Sequence, residues 1–360
     1  MPKILLFSLM LIFVSGPVMA ASIAQMAGQM IMIGFKGTSV DQSGVKAVRR
    51  DIAAGRIGGV IYLRSNVASL ARVKAINAAF IAASGELKPF IALDQEGGRI
   101  ERLTRAVGFK EIPSAARVAK TQSPEQAEKT YFAMASDLAN LGFNVNFGPV
   151  VDLNINPANP IIGRYGRSFG VDANLVSQYG ASFVMAHRRA GVLTALKHFP
   201  GHGSSRSDSH KGFVDISATW QARELDPYRN LIAAGLADMV MVGHLYHERF
   251  SSPGGPQLPA SLSQDWIEGV LRDQLGFDGV VISDDMEMGA IRQNYSLKQA
   301  VILGVEAGVD ILLFSNTADY RPGLASEIIA ILTQEADHDP AFAARIRESY
   351  ARIVALKSRL

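Results

Sequence analysis

Three of the seven histidines of the chain lie in one segment, Lys197–His210, which also contains Asp208. The segment follows the apolar run Gly191–Leu196, which is typical of a buried strand, so Lys197 and His198 are expected at the carboxyl end of that strand. Titratable groups gathered at the end of a strand rarely serve packing, because each needs its own buried partner. We therefore expect this segment to carry chemistry.

Asp208 and His210 are two residues apart, so in an extended loop both side chains can point to the same side. A carboxylate beside an imidazole favours the imidazolium and fixes the orientation of the ring, which makes a general acid/base. A surface loop is the plain alternative. A second alternative is a zinc site formed by His198, His202, Asp208 and His210. The spacing of these residues matches no compact ligand pattern, however, and Lys197 would repel a cation. No metal or other cofactor is predicted, and His202 is expected to shape the turn.

A second acidic group, Asp284-Asp285, follows the apolar run Val280–Ile282. Ser283 and Asp284 should emerge where this run ends, and one of the two aspartates can simply cap a helix. An aspartate held at such a position can attack the anomeric carbon of a sugar or act as a general base. From the residues alone, both roles stay open for Asp284.

Two glycine-rich loops add charged groups. Asp94, Arg99 and Arg102 flank Gly97-Gly98, an arrangement that suits recognition of a polyhydroxylated ligand, although a structural ion pair is the alternative for Arg99. This loop lacks the Gly-x-Gly-x-x-Gly spacing of a dinucleotide site. A second loop, Ile162–Gly170, contains two arginines, Arg164 and Arg167, of which we expect one to reach the site and the other to face water.

The elements that must position these groups are short apolar runs that alternate with amphipathic stretches, which favours parallel strands joined by helices. The predicted strands are Gln29–Ile33, Gly59–Leu63, Phe90–Leu93, Phe143–Phe147, Val192–Leu196, Met239–Val242, Val280–Ile282 and Ile311–Phe314. Predicted helices include Val67–Ala83, Pro124–Leu141, Ala173–Ala190, Trp266–Leu275 and Leu297–Ala307. Eight such units in one stretch predict an α/β fold, a single (β/α)8 TIM-type barrel over residues 21–360, with a doubly wound sheet as the competitor.

Polar or ionisable residues follow six of the predicted strands. They are Asp94, Asn146 with Asp152, Lys197-His198, His244, Ser283-Asp284-Asp285 and Ser315-Asn316. In a barrel the carboxyl ends of all strands meet on one face, where such enzymes place their active sites. Folding does not require this pattern, so an enzyme is the better interpretation. For His244, Tyr246 and His247, a buried, hydrogen-bonded position is at least as good an interpretation as a role in the site.

Composition excludes several classes of protein. The chain of 360 residues is 48% hydrophobic and 19% charged, with a formal net charge of +3, which is ordinary for a globular protein and gives no nucleic-acid footprint. Residues 1–20 have the layout of a signal peptide, with Lys3, the apolar run Ile4–Val14 and a small-residue site at Val18–Ala20. An uncleaved anchor is the alternative, although the run is short for a membrane span. With no cysteine, the exported protein can form no disulfide.

The motifs resemble those of glycoside hydrolase family 3, in its branch of bacterial β-N-acetylglucosaminidases. Lys197–Gly203 followed by Asp208-Ser209-His210 is similar to the signature of that family. The remaining matching segments, in order, are Asp94–Arg99, Arg167–Gly170, Ser261–Ser263 and Ser283–Met286. The resemblance extends from about Gln25 to about Phe314.

The resemblance implies a retaining hydrolase that releases terminal β-linked N-acetylglucosamine. It implies Asp284 as the nucleophile, His210 as the general acid/base and Asp208 as the residue that orients it. It also implies a set of residues that bind the terminal sugar: Asp94, Arg102, Arg167, Lys197 and His198. A histidine in place of the usual second carboxylate repels an anionic acceptor less, so phosphorolysis is an alternative to hydrolysis. A further alternative is that the protein binds cell-wall sugars and has no catalytic activity.

Many members of this branch act in the cytoplasm, whereas this chain has the pattern of an export signal. The expected location is therefore the periplasm or the medium, without stable insertion in the membrane once the leader is cleaved. The expected partner is a carbohydrate, either a peptidoglycan fragment or a chitin-like oligosaccharide.

Overall fold

The structure is a computed structural model that describes residues 21–251, 256–317 and 319–360. The predicted leader and its cleavage site lie outside these residues. The strands are β1 (Ile31–Gly34), β2 (Gly59–Tyr62), β3 (Phe90–Leu93), β4 (Val145–Asn146), β5 (Leu193–Phe199), β6 (Met239–Val242), β7 (Val280–Ser283) and β8 (Leu312–Phe314). The α-helices are α1 (Ile23–Gln29), α2 (Ser43–Ala53), α3 (Leu70–Ala83), α4 (Ala115–Thr121), α5 (Pro124–Asn140), α6 (Ala173–Arg189), α7 (Asp226–Ala233), α8 (Gly289–Arg292), α9 (Leu297–Ala307), α10 (Leu324–His338) and α11 (Pro340–Lys357). A π-helix covers Asp265–Gln274, and short 3₁₀ turns cover Arg64–Asn66, Arg105–Val107, Gly163–Tyr165, Ala222–Leu225, Glu248–Phe250 and Ala260–Leu262.

The eight strands form one parallel sheet that closes into a barrel. From β1 to β7 each strand pairs with the next, and β8 pairs with β1, for example Met32 with Leu313. Between β7 and β8 a single bridge, Ile282 to Ile311, completes the circle. This closure rules out the doubly wound sheet and confirms the predicted TIM-type barrel, because an open sheet would leave two unpaired edge strands.

The β7–β8 junction, which we call the seam, is reinforced by one buried carboxylate. Asp310 is fully buried, and its Oδ2 accepts hydrogen bonds from the Val281 backbone N–H and from Arg272 Nη2, both at 2.8 Å. Its Oδ1 accepts from Ser349 Oγ at 2.8 Å and contacts Arg352. Asp310 therefore links the seam to α11 and to the π-helix.

Local sequence explains where the helices begin. Ser69, Ser114, Ser123, Asp172 and Ser296 each precede a helix, and the side-chain oxygen of each accepts a hydrogen bond from a backbone N–H of the first turn. Such caps satisfy donors that the helix itself leaves free. The strands are buried along their whole length, as expected for a parallel sheet covered by helices.

The predicted strand positions are confirmed; the bounds agree at Phe90–Leu93 and Met239–Val242 and differ by one to three residues at the other strands, with the largest differences in β1, β4 and β5. Gln29 was expected in the first strand but is the last residue of α1, so that prediction is wrong for Gln29. Strand β4 is shorter than predicted, with two residues. Strand β5 continues through Phe199, because the Gly243 N–H donates to Phe199 O at 2.8 Å, so Lys197 and His198 are among its last three residues, at the carboxyl end as predicted.

Among the described residues no helix combines the length and the hydropathy needed to span a membrane.

Candidate active site

A pocket of about 260 Å³ opens at the carboxyl ends of the strands. Seven of the eight predicted site residues line it: Asp94, Arg102, Arg167, Lys197, His198, His210 and Asp284. The volume is small for a ligand site, so the pocket suits a ligand the size of a monosaccharide. Apolar walls come from Phe147, Met241, Met288 and Leu313.

One wall of the pocket is a network of alternating charges. Lys197, at 1% side-chain exposure, places Nζ 2.7 Å from Asp94 Oδ1 and 2.7 Å from Glu96 Oε1. Arg102 Nη2 donates to the other Asp94 oxygen at 2.8 Å. Arg167 holds Glu96 through two parallel hydrogen bonds of 2.8 and 2.7 Å. Paired bonds of this kind fix the orientation of a guanidinium as well as its position.

The charges in this wall keep one another ionised. Burial raises the pKa of Asp94, but the positive charges of Lys197 and Arg102 together lower it by a larger amount. The pKa of Asp94 therefore lies well below the usual range. Burial also raises the pKa of Glu96, but the positive charges of Arg167 and Lys197 together lower it by a larger amount. Both carboxylates are therefore ionised hydrogen-bond acceptors at neutral pH. Ionised donors and acceptors set side by side are suited to the hydroxyl groups of a sugar.

His198 is held from behind by Asp152, a residue with 1% exposure. Asp152 Oδ2 lies 2.7 Å from His198 Nδ1, and Oδ1 accepts from the backbone N–H groups of His198 at 3.2 Å and His202 at 2.8 Å. Burial raises the pKa of Asp152, but the two histidines lower it below its ordinary value. An ionised Asp152 requires a proton on His198 Nδ1, so Nε2, 3.3 Å from Arg167 Nη2, faces the pocket wall.

Asp284 lies directly after β7 and faces the pocket from the opposite side. Its backbone N–H donates to Val242 O at 2.9 Å, and its Oδ1 accepts from the Asp285 N–H at 2.8 Å. Burial raises the pKa of Asp284, but the imidazoles of His198, His244 and His210 lower it, and its pKa stays below the ordinary value. Asp284 is thus an ionised carboxylate held rigidly by its backbone.

Asp208 and His210 meet in the loop after β5. Asp208 Oδ1 lies 2.8 Å from His210 Nδ1 and also accepts from the His210 backbone N–H at 3.0 Å. The His210 side chain is 63% exposed and the Asp208 side chain 16%. Asp208 itself does not line the pocket but supports His210 from outside, which leaves Nε2 of the ring free to reach a ligand.

The start of this loop is fixed by buried polar groups. His202 Nδ1 lies 2.7 Å from Ser205 Oγ, and Nε2 lies 3.3 Å from Ser209 Oγ, so His202 ties the turn to the residue before His210. Burial lowers the pKa of His202 to about 4, so the ring is neutral near pH 7. Below the turn, Gly201 has a φ of +123°, and Glu224 packs where its side chain would be. Burial raises the pKa of Glu224 to about 8.

Of the other residues singled out from the sequence, Arg99, Arg164 and His244 lie outside the pocket lining, whereas Asp285 is part of it. Arg99 is exposed and stacks its guanidinium 4.3 Å from the centre of the Tyr165 ring, and Arg164 is exposed while Arg167 lines the pocket. Asp285 Oδ1 accepts from the Glu287 and Ser315 N–H groups, whereas Met288 precedes α8, so Asp285 does not cap that helix. His244 is buried, with Nδ1 2.7 Å from Ser261 Oγ and Nε2 2.9 Å from Asp285 O.

Glu96 and Asp152 are the site residues that sequence reasoning did not assign. Both were visible, since Glu96 stands inside the Asp94–Arg99 segment and Asp152 follows a predicted strand. No spacing rule connects them to their partners, because Arg167 is 71 residues from Glu96 and His198 is 46 residues from Asp152.

The zinc alternative requires the four loop residues to converge on one point. Within residues 21–251, 256–317 and 319–360 no three or more histidine and acidic side chains are grouped to hold a metal ion. His198 is hydrogen-bonded to Asp152, and His202 to Ser205 and Ser209.

The profile of the glycosyl hydrolase family 3 N terminal domain matches residues 22–356, nearly the whole described chain. The chain belongs to glycosyl hydrolase family 3. This membership accounts for the barrel and agrees with the resemblance seen in the motifs.

Individual relatives in family 3 support the same placement. The chain is 32% identical over 369 residues to a β-hexosaminidase A from Pseudoalteromonas piscicida, a match that covers 94% of this chain and 61% of that protein. Another relative, 31% identical over 370 residues, is an uncharacterized secreted glycosyl hydrolase from Arthroderma benhamiae, and the match covers 99% of both.

Two solved structures of the family superpose closely. A glycoside hydrolase family 3 β-N-acetylglucosaminidase from Paenibacillus sp. str. FPU-7 has a TM-score of 0.84 at 35% identity, covering 94% of this chain and 63% of that one. A β-N-acetylhexosaminidase from Beutenbergia cavernae has a TM-score of 0.82 at 31% identity, covering 94% and 99%. The chain thus spans about three fifths of the Pseudoalteromonas and Paenibacillus proteins and the full length of the Beutenbergia enzyme.

Proposed function

We propose that this protein is a retaining β-N-acetylhexosaminidase that releases terminal, non-reducing β-linked N-acetylglucosamine. The observation that carries the proposal is the arrangement of one ionised carboxylate, Asp284, and one carboxylate–imidazole pair, Asp208 and His210, around a single small pocket with a charged wall. The β-hexosaminidase and β-N-acetylglucosaminidase names of the relatives support it.

In this proposal the terminal sugar enters the pocket with its hydroxyl groups toward the charged wall. Asp94 accepts from the hydroxyls, and Lys197, Arg102, Arg167 and His198 complete the hydrogen bonds. Because these charges are already paired, the sugar meets groups held in fixed positions, which lowers the entropic cost of binding. A pocket of this volume fits one terminal residue, which supports cleavage from the chain end.

The first chemical step forms a bond between Asp284 Oδ2 and the anomeric carbon while the bond from that carbon to the leaving oxygen breaks. His210, protonated on Nε2, transfers that proton to the leaving oxygen. Asp208 stabilises the imidazolium through its bond to Nδ1 and keeps Nε2 directed at the substrate. The product is a covalent glycosyl–Asp284 intermediate and a free aglycone.

The second step reverses the roles. The neutral His210 Nε2 takes a proton from a water molecule, whose oxygen bonds to the anomeric carbon as the bond to Asp284 breaks. The sugar leaves with its original β configuration, and both Asp284 and His210 return to their starting states. The low pKa of Asp284 makes it a good leaving group in this step.

We further propose that the enzyme acts in the periplasm or outside the cell on peptidoglycan fragments or chitin-like oligosaccharides. Export would remove residues 1–20 and leave the barrel domain, residues 21–360, as the mature enzyme. The signal-like pattern of the first twenty residues and the secreted relative support this location.

The test is an assay of the purified protein on an aryl β-N-acetylglucosaminide, an aryl β-glucoside and a muropeptide, each with and without phosphate. We expect release from the glucosaminide, with the β anomer of free N-acetylglucosamine formed first by NMR. A sugar phosphate as the main product would identify a phosphorylase instead. No turnover of any substrate, with binding retained, would indicate a silent sugar-binding protein, and an α anomer formed first would refute the covalent intermediate.

A further inference from the structure

The segment that carries Asp284 also holds the loop that carries His210. Helix α8 begins five residues after Asp284, at Gly289. The Gly289 N–H donates to His210 O at 3.2 Å, and the Ala290 N–H donates to Ser209 O at 3.1 Å. These two bonds attach the backbone on either side of the His210 Cα to the element that follows the nucleophile, so the positions of the two reacting groups are connected.

The contact at Gly289 is closer than any other residue would allow. A Cβ on Gly289 would lie 2.8 Å from His210 O, 2.8 Å from Lys211 C and 2.9 Å from Gly212 N. Real Cβ atoms do not approach heavy atoms to less than 3.0 Å, and ordinary contact begins at 3.4 Å. All three atoms belong to the backbone, so no side chain can rotate away to make room.

Backbone conformation does not require glycine at this position. The φ of Gly289 is outside the left-handed range that favours glycine, and alanine is the better helix former in the first turn of a helix. A glycine here has one structural consequence, which is the close approach of the His210 loop. The neighbouring Gln293 adds a further contact, with Nε2 3.2 Å from Lys211 O.

We propose that Gly289 is a positioning residue for proton transfer: it lets the His210 loop seat on α8 so that the general acid lies at the correct distance from the bond that Asp284 attacks. The inference rests on the proposed function, since it assigns His210 the role of acid. A methyl group at Gly289 moves the loop outward by roughly half an ångström, and a misplacement on the order of 1 Å can cost about 100-fold in rate.

The test compares Gly289→Ala with Gly269→Ala. Gly269 lies in the π-helix, and a Cβ there would meet nothing within 4 Å, so the control makes the same chemical change without a contact. Substrates are a dinitrophenyl β-N-acetylglucosaminide, whose leaving group needs no proton, and chitobiose, whose leaving group does. The measured quantity is kcat/KM, which reports bond cleavage to the first product.

We expect Gly289→Ala to lose about 10- to 100-fold in kcat/KM on chitobiose and little on the dinitrophenyl substrate, with both values unchanged in Gly269→Ala. Gln293→Ala, an exposed change that removes one loop contact, should shift the same ratio in the same direction by a smaller factor. It keeps the question answerable if Gly289→Ala does not fold.

Equal losses on both substrates, or no loss on chitobiose, would overturn the role of Gly289 while leaving the proposed function intact. A wild-type protein that cleaves neither substrate would overturn both. The leaving-group ratio separates the two outcomes, because a merely structural defect lowers both rates together.

Discussion

Replacement of Asp152 by Asn is the change that tests most directly how the buried network controls the site. Asn has the same shape, and its Oδ1 can still accept from the His198 and His202 N–H groups. Its Nδ2, however, is a donor facing His198 Nδ1, which therefore must give up its proton. The ring would then carry its proton on Nε2, opposite Arg167 Nη2, which is also a donor. Neither tautomer satisfies both sides of the ring.

The magnitude follows from the bond that is lost. A hydrogen bond to a charged group contributes about 1.5–3 kcal/mol, which corresponds to a loss of roughly 10- to 100-fold in kcat/KM. The pH dependence should also change. Burial raises the pKa of Asp284, and the His198 ring is the first of the groups that lower it, so displacing that ring from its fixed position raises that pKa. The acid limb of kcat/KM, where Asp284 loses its charge, then moves to higher pH.

The assay is kcat/KM on an aryl β-N-acetylglucosaminide from acidic to alkaline pH, with the thermal midpoint as a check on folding. Asp273→Asn, at an exposed position, is the matched control. If Asp152 acts through His198, then Asp152→Asn should cost little in a His198→Ala background. Additive losses in that double variant, or an unshifted acid limb in Asp152→Asn, would refute the reasoning.

Three other changes test separate parts of the site. Asp284→Ala should lose at least about 1,000-fold in kcat while its circular dichroism shows normal folding. Added azide should restore turnover by forming an α-glycosyl azide. A rate near that of wild type would exclude Asp284 as the nucleophile. His210→Ala should lose about 100- to 10,000-fold in kcat/KM on disaccharides but little on dinitrophenyl substrates, and an equal loss on both would exclude its role as acid. Burial raises the pKa of Glu224 from 4.5 to about 8. Between these two pH values the folded state keeps a proton on Glu224 that the unfolded state has released. The free energy of unfolding should therefore fall as pH rises from 4.5 to about 8. Glu224→Gln should flatten that slope in denaturant titrations, and an unchanged slope would contradict the neutral Glu224.

The barrel could be predicted from the sequence because its strands are apolar along their whole length. A run such as Met239–Val242 is buried on both faces, so hydrophobicity alone locates it and its bounds agree with the structure. The exact ends of the strands were less predictable. Gln29 is polar and yet buried, because its Oε1 accepts from Lys357 Nζ of α11, a contact across the whole chain that no local pattern reveals.

Asp94, Lys197 and Asp284 were predictable by position, since each stands at a strand end, but the interactions among the pocket residues were not. The sequence indicates that Asp94 and Lys197 reach the same face; it does not indicate that Glu96 bridges Lys197 and Arg167. Such bridges depend on side-chain reach across loops that are distant in the chain. The contact between α8 and the His210 loop was not predictable for a different reason. It is made by backbone atoms, so the residue types do not reveal it, apart from one glycine.

The seam has a consequence for how the protein opens. Neighbouring strands elsewhere in the barrel share a ladder, whereas β7 and β8 are joined by one bridge, by backbone hydrogen bonds between Val281 or Ser283 and Asp310 or Ile311, and by the buried carboxylate of Asp310. A substitution that removes the Asp310 carboxylate would weaken this junction, and partial unfolding of that variant should begin by separating these two strands. That opening would detach the element that carries Asp284 before the core melts. In that variant, loss of activity on heating would precede loss of secondary structure.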